Sequence, residues 1–388
     1  MSQVSLTRTG QDLHAALIRA IDDVGVRLVT RGDRVLIKPN LVEPEAPDSG
    51  EITTPRLIEA VARYCLDHGA SRVIIGEGPS YYQPESHLRE CFTRTGVSSV
   101  AEHLGIEWVL FDDHSYRTFR GVPDCPKEFR VTEFAFTCDK FINLPVLKTH
   151  YLTTVTLAMK NLKGCLKRED KPLFHRGDLS RAVVELCRIV KPTINIIDCT
   201  TKTIGSIGYS DRKQPTGRSL LITGSDIVAV DAVGCALMGI DPLKVDTVTL
   251  GAAAGLGESD LTRMDIVGEE LKYLKFKVKL PREELRQNFP LLEIVGAERA
   301  CSGCLIPLRS SLLYLQEQGI NLKEPLKIYL GTEIEVLEDR AGLLLGDCAQ
   351  VKGTDELPRV GGCPPDKEEL ITNLISLISS NEPDESDL

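Results

Sequence analysis

The chain lacks several features that would assign it at once, and each lack excludes a class. No apolar run approaches the length of a membrane helix, which takes roughly 20 residues. No long basic tract offsets a formal charge of −10, which argues against a general nucleic-acid binder. The N-terminal MSQVSLTRTGQDLHAALIRAI has neither the apolar core nor the small-residue cleavage site of a secretory signal. The expected location is therefore the cytoplasm, with no membrane and no nucleic acid among the partners. There is no Walker A motif, and no G-x-G-x-x-G follows the first strand-like run, so a nicotinamide cofactor is not expected. The GEGPS turn (76–80) is too short and too common in form to be a specific phosphate loop.

What is present is a chain of 388 residues, 42% of them apolar. That is enough for two or three domains with a sizeable core. Short apolar runs alternate with helix-like stretches. RVLIKPN, SRVIIGEGPS, IEWVLFDD, KFINLPVLKTH, TINIIDCT and SLLITGSD read as strands. TTPRLIEAVARYCLDHG and IVAVDAVGCALMGI read as helices, the second capped by Asp226. Such alternation predicts an α/β fold, a doubly wound and mainly parallel sheet, followed by a smaller C-terminal α/β module. The boundaries read as 1–245 for a body with a ligand cleft, 246–290 for a bridging segment, and 291–388 for the small module. Within the bridge, MDIVGEEL and LKFKVKL are strand candidates.

The twelve cysteines are expected to be thiols or ligands in a reducing compartment. Cys65, Cys187 and Cys235 lie in apolar helix-like patterns and read as core residues. Four others differ in setting: Cys301 and Cys304 in ACSGC, Cys348 in LLLGDC, and Cys363 in VGGCPP. Each sits at a strand-to-loop or strand-to-helix junction, so the four suit a metal cage. Four cysteines are the usual ligands of 2Fe–2S and 4Fe–4S clusters. Four-cysteine zinc sites typically use two C-x-x-C knuckles, and only one C-x-x-C is present here. The expected cofactor is a 4Fe–4S cluster, with 2Fe–2S, zinc or unliganded thiols as alternatives. With all four cysteines ligating, no iron keeps an open position.

Polar residues gather where the predicted strands end: Lys38 and Asn40, Glu77, Lys148 and His150, and Asp198. In open α/β sheets, ligands bind beyond the carboxyl ends of the strands. The stretch 144–170 adds Lys160, Lys163 and Lys167, which fit a helical spacing and suit an anion; a solvated basic face is the alternative. His150 is the acid–base candidate with Lys148 beside it. Lys38, Asn40, Thr54, Glu77, Lys160, Asn161 and Lys163 are the expected substrate-binding residues. Thr54 before Pro55 also reads as a helix cap. His175 is a weaker candidate, preceding a helix capped by Asp178.

Taken together, KPN, the TTP helix start, GEG, LPVLKTH, MKNLKGCL, the IID strand and DIVAVDAVG resemble the family known as domain of unknown function 362, over roughly residues 33–245. The K-T-H and K-N-x-K-G elements are the most specific. Members of that family often carry iron–sulfur ligands, so the resemblance implies a cluster. This chain lacks the ferredoxin run C-x₂-C-x₂-C-x₃-C-P, so a cluster here would use the tail cysteines. The GCPP turn resembles a ligand turn in the small subunits of nickel–iron hydrogenases and in related complex I subunits. A more distant likeness is to the catalytic body of nickel-dependent lactate racemases, which use lysine and histidine around a nickel-pincer nucleotide.

The leading expectation is an iron–sulfur oxidoreductase that passes single electrons from its cluster to an anionic substrate or cofactor in the cleft. Its partners would be that small anion and an electron-donor protein, and a homodimer is compatible with the chain. One alternative is a redox-neutral racemase or lyase on a small acid with a structural cluster. Another is a non-enzymatic iron–sulfur carrier or redox sensor.

Overall fold

A computed structural model describes residues 1–81, 85–201, 203–204, 214–215, 218–332, 334, 342–349 and 357–379. The acidic C-terminal stretch after Ser379 lies outside the described residues. The chain divides into two compact units, Met1–Val278 and Lys279–Leu388.

The first unit is built on eight strands: β1 (Ser2–Arg8), β2 (Arg34–Lys38), β3 (Arg72–Glu77), β4 (Glu107–Leu110), β5 (Lys140–Asn143), β8 (Ile194–Cys199), β9 (Leu220–Gly224) and β10 (Met264–Gly268). A side hairpin, β6 (Lys148–His150) and β7 (Thr154–Thr156), lies between β5 and β8 in the chain. The sheet order is β10-β1-β9-β8-β5-β2-β3-β4. Only β9 runs antiparallel to its neighbours; the other pairs are parallel. The fold is thus α/β with a mainly parallel sheet, as the alternation predicts.

The reason is visible residue by residue. Every residue of β8 is buried, and Val35, Leu36 and Ile37 of β2 are wholly enclosed. Strands covered on both faces need such continuous apolar runs. Between strands run α1 (Leu13–Asp23), α2 (Pro55–Asp67), α3 (Val97–Leu104), α4 (Ala158–Asn161), α5 (Leu179–Ile189), α6 (Ile227–Leu237) and α7 (Asp246–Ala253). Thr54, Asp178 and Asp226 cap α2, α5 and α6, each accepting backbone N–H groups of the first turn. Every residue of α6 is buried, so that helix is a core element of the unit.

Three details depart from the sequence reading. The run 140–150 is not one strand. The β5 pairing ends at Asn143, Pro145 follows, and Lys148–His150 folds back onto Thr154–Thr156. Proline offers no N–H to continue a ladder. The segment around LKFKVKL forms no strand; Phe276 and Val278 donate instead to the carbonyls of Leu237 and Met238 at the end of α6. The segment 246–290 falls on both sides of the unit boundary: β10 joins the large sheet beside β1, while Pro281–Asn288 is a helix of the second unit. Among the described residues no helix is long and apolar enough to cross a membrane.

The second unit carries a parallel sheet in the order β11 (Leu292–Val295), β12 (Leu326–Leu330), β13 (Leu343–Leu345), β14 (Arg359–Val360). Its helices include α8 (Ser302–Glu317) and α9 (Lys367–Ser379), whose Leu308, Leu312, Leu370 and Leu374 are buried. Because the strands are parallel, their carboxyl ends share one edge. The four tail cysteines follow those ends: Cys301 and Cys304 open α8 after β11, Cys348 follows β13, and Cys363 follows β14.

Candidate functional site: buried lysines at the strand ends

Lys38 ends β2 with its side chain wholly enclosed. Its Nζ donates to Glu77 Oε2 at 2.8 Å, to the Pro39 carbonyl at 2.8 Å and to Asn161 Oδ1 at 3.3 Å. Glu77, at the end of β3, also accepts from the Leu41 N–H. Asn40 donates from Nδ2 to Asn161 Oδ1 at 2.7 Å, and its Oδ1 accepts from Lys148 Nζ at 2.7 Å. Lys148 donates as well to the Glu51 carbonyl at 2.7 Å. Asn161 Nδ2 donates to Asn143 Oδ1, and Asn143 Nδ2 to Asn195 Oδ1. A lysine can only donate, so the two lysines fix which way Asn40 and Asn161 point. The structure thus brings Lys38, Asn40, Glu77, Lys148 and Asn161 into one hydrogen-bonded network. Burial pushes Lys148 down to about 8, while Glu51, Glu43 and Glu77 oppose that shift.

Gly164 makes this packing possible. A Cβ there would stand 2.0 Å from Glu77 Oε1 and 2.5 Å from Lys38 Nζ. The same tight passage replaces the helix expected through Lys167. α4 ends at Asn161, Leu162–Cys165 is a 3₁₀ turn, and Lys167 turns outward to pair with Glu169 at 3.3 Å.

Lys160 and Lys163 stand differently. Both are half-buried. Lys160 Nζ lies 3.4 Å from Thr156 Oγ1 and has no carboxylate partner among the described residues. Lys163 Nζ lies 2.8 Å from His175 Nε2. Burial first, then the charges of Lys163 and Lys148, hold Lys160 well below the usual lysine range. His175 is buried, and its Nδ1 has no hydrogen-bond partner among the described residues. Burial and the neighbouring lysines depress it well below the ordinary histidine value.

His150 belongs to the same group. It is held low by burial and then by Lys160, His175, Lys163 and Lys148, so its ring is neutral. Its Nδ1 accepts the N–H groups of Leu152 and Thr153 at 3.1 and 3.2 Å. The remaining proton therefore sits on Nε2. In this state the ring offers a hydrogen-bond donor and cannot take a proton at Nε2.

One residue that sequence reasoning missed sets the position of this group. Asp231, buried in α6, accepts the N–H groups of Ala158 and Met159 at 2.6 and 3.1 Å. It pins the start of α4, the turn that carries Lys160 and Asn161. Burial raises its carboxyl to about 7, against the lowering effect of those two N–H donors. In the sequence it is one polar residue in an apolar helix, and that breach of an otherwise apolar run was the available signal. Lys171 was also missed; it holds the GEGPS turn through the Gly78 and Pro79 carbonyls at 2.6 and 2.7 Å.

Thr54 turns elsewhere. It caps α2 and donates to Asp198, which also accepts from Thr200. It lines a separate hollow of about 480 Å³ with Thr9, Leu13, Arg56, Thr200 and Ser219.

The cysteines separate into two groups. Cys65, Cys187 and Cys235 are buried with raised thiols, as are Cys165 and Cys199. In the second unit Cys304 is buried and hydrogen-bonded to Cys301, and its thiol is pushed far up by that bond, by burial and by Cys301, Cys348 and Cys363. Gly346 leaves room for this sulfur; a Cβ there would lie 2.6 Å from Cys304 Sγ. Among the described residues no three His, Cys, Asp or Glu side chains stand close enough together to grip a single metal ion.

A family described as a domain of unknown function (DUF362) is matched over residues 35–236. A thylakoid-associated protein of Synechocystis sp. is 28% identical over 314 residues, covering 78% of this chain and 88% of that protein. The lactate racemase apoprotein from Thermoanaerobacterium thermosaccharolyticum aligns with a TM-score of 0.39 and 12% identity, over 61% of this chain and 56% of the racemase chain.

Asp231 gives this network a pH signature. Its folded carboxyl lies near 7 against an ordinary 3.8, so the folded state binds the proton more tightly. The stability this confers is complete below about 3.8 and is lost as pH rises to about 7. Asp231→Asn cannot titrate. Urea midpoints of the two proteins, compared from pH 4 to pH 7.5, will shift in favour of the variant across that window. A constant difference would show that Asp231 does not titrate there.

Proposed function

The chain belongs to the domain of unknown function 362 family, and we propose that it is an enzyme taking a small anionic substrate at the carboxyl ends of the large sheet, with an iron–sulfur cluster on its C-terminal cysteines. The observation that carries the first part is a lysine without a carboxylate. Lys38 is balanced by Glu77, but Lys160 has no carboxylate partner among the described residues, and Lys163 and His175 lie close by. Withdrawing cations from water without a counter-charge is costly. A carboxylate or phosphate bound there offsets that cost.

The residues divide the work by their geometry. Lys163, with three N–H groups on its ammonium, holds the anion. Lys148, fixed between Asn40 and the Glu51 carbonyl, supplies field rather than contact. His150 presents Nε2–H to an oxygen on which negative charge develops, the role a neutral imidazole fills where its pKa is depressed. Lys160, whose ammonium is disfavoured by burial and by Lys163 and Lys148, is the group in the cluster suited to accept a proton. This equipment fits a redox-neutral proton transfer on a small acid better than hydride chemistry.

The four tail cysteines support the cluster. They follow the ends of parallel strands, and Cys304 feels the other three. Zinc requires all four sulfurs about 2.3 Å from one point. A 4Fe–4S cluster takes each thiolate on a different iron and suits a wider ring. When bound, such a cluster supplies one-electron transfer. An oxidoreductase served by a donor protein is therefore the second reading, and the four-thiol set is the feature that favours it. The cytoplasm is the compartment this reading requires, since thiolate ligands stay reduced there.

Two measurements check this. Protein purified without oxygen will be brown and carry iron and acid-labile sulfide in equal amounts, and Cys304→Ala will lose most of both; a colourless protein with stoichiometric zinc contradicts the cluster. Calorimetric titration with pyruvate, lactate and inorganic phosphate will show binding by at least one of them. Lys163→Ala will weaken it about 10- to 100-fold, the usual worth of a charged hydrogen bond. Binding that is indifferent to Lys163 removes the anion site.

A further inference from the structure

Resting on the anion site just proposed, we infer that Lys160 is a carbonyl-condensing amine and that the site takes a 2-oxo acid, which it binds covalently as an imine. Three features point there. First, Lys160 Nζ touches only a hydroxyl, Thr156 Oγ1 at 3.4 Å, and no carboxylate among the described residues. An amine beside other cations and partly withdrawn from solvent holds its proton less tightly, which favours the nucleophilic free base. Among the described residues the charges that act on it are those of Lys163 on the following turn and Lys148 on β6, with His150 on β6 and His175 before α5 in the same group.

Second, Lys160 and Lys163 are three residues apart across the junction of α4 and a 3₁₀ turn. At that spacing the two side chains lie on one face. An amine and an ammonium set side by side match a carbonyl carbon bonded directly to a carboxylate. That arrangement selects a 2-oxo acid over an acid whose carbonyl lies far from its charge. Third, the turn is fixed from behind. Asp231 holds the amides of Ala158 and Met159, and Asn161 is locked into the buried amide network. Lys160 is therefore presented from a rigid base, as a covalent nucleophile requires.

The step balances with water as the proton carrier. The Lys160 nitrogen lone pair adds to the carbonyl carbon while the π pair of the C=O moves to oxygen. That oxygen, hydrogen-bonded by His150 Nε2–H, takes the proton that nitrogen gives up, forming a carbinolamine. A proton from water makes the hydroxyl leave as water with the C–O bond pair, and the nitrogen lone pair forms the C=N bond. The iminium nitrogen then returns its remaining proton to water, so none is consumed overall. The overall change is amine plus 2-oxo acid to imine plus water, with no oxidant or reductant. Hydrolysis reverses it.

The test uses the full chain with pyruvate and sodium cyanoborohydride at pH 7, followed by intact mass and peptide mapping. The reductant converts a C=N bond to a stable secondary amine. Expected is one reduced pyruvate adduct per chain on Lys160, at least about 100-fold faster than on any exposed lysine, because ordinary lysines are almost fully protonated at this pH. Lys160→Ala will lose the adduct with an unchanged far-ultraviolet circular dichroism spectrum. Lys160→Arg, which keeps the charge and the stem, will lose it too and guards against a folding defect. Labelling spread evenly over surface lysines, or centred on Lys148, overturns the inference. So does an unlabelled Lys160 in protein that binds pyruvate by calorimetry in a Lys163-dependent way, and that outcome leaves the anion site standing. If no small anion binds at all and no adduct forms, both fall together.

Discussion

Charge buried at the ends of parallel strands is the constraint on which this structure depends. The strands need continuous apolar runs, yet β2, β3 and the turn after β5 deliver Lys38, Glu77 and Lys148 into the interior. The protein solves this in two ways. Lys38 and Glu77 neutralise each other at 2.8 Å, and a line of asparagines spreads the remaining demand for hydrogen bonds from Lys148 to Asn195. Removing one partner of such a pair typically costs about 3–5 kcal/mol, which explains why the network is complete. Just beyond it the same solution stops. Lys160 and Lys163 arrive on a short turn with histidines and hydroxyls around them. The contrast between this paired network and Lys160 beside it, which has no carboxylate partner among the described residues, is what the proposed site rests on.

Much of this was legible from the chain. Strands that must be apolar for their whole length betray their ends, so Lys38, Asn40, Glu77 and Lys148 could be named from position. Thr54, Asp178 and Asp226 announced their helices because a capping side chain is a local device. What was not legible depends on distant pairing. β1 lacks a continuous apolar run, and only its register with β9 and β10 shows it to be a strand. Asp231 lies more than seventy residues from the amides it holds. The helical spacing of Lys160, Lys163 and Lys167 was present, but Gly164 pressed against Glu77 draws the chain into a tighter turn and sends Lys167 outward.

The two units show one architectural rule at two scales. In both, parallel strands bring their carboxyl ends to one edge, and the candidate site residues follow those ends. The larger unit places amines and imidazoles there, hard donors suited to oxyanions. The smaller places thiols there, soft donors suited to iron. Gly164 and Gly346 play matching parts, each leaving space where a methyl group would collide with Lys38 or with Cys304. The remaining buried cysteines follow a different rule, since burial raises their thiols and makes them inert packing groups.

The central claim is that Lys160, half-buried among cations, holds its proton far less tightly than an ordinary lysine and meets a small acid there. Nitrogen-15 and carbon-13 resonances of the lysine side chains, followed through a pH titration, measure this directly. The account predicts one half-buried lysine, removed from the spectrum by Lys160→Arg, that titrates well below the ordinary lysine range and moves upward when a small acid is bound. A Lys160 signal that titrates with the exposed lysines, and does not respond to any small acid, would contradict it.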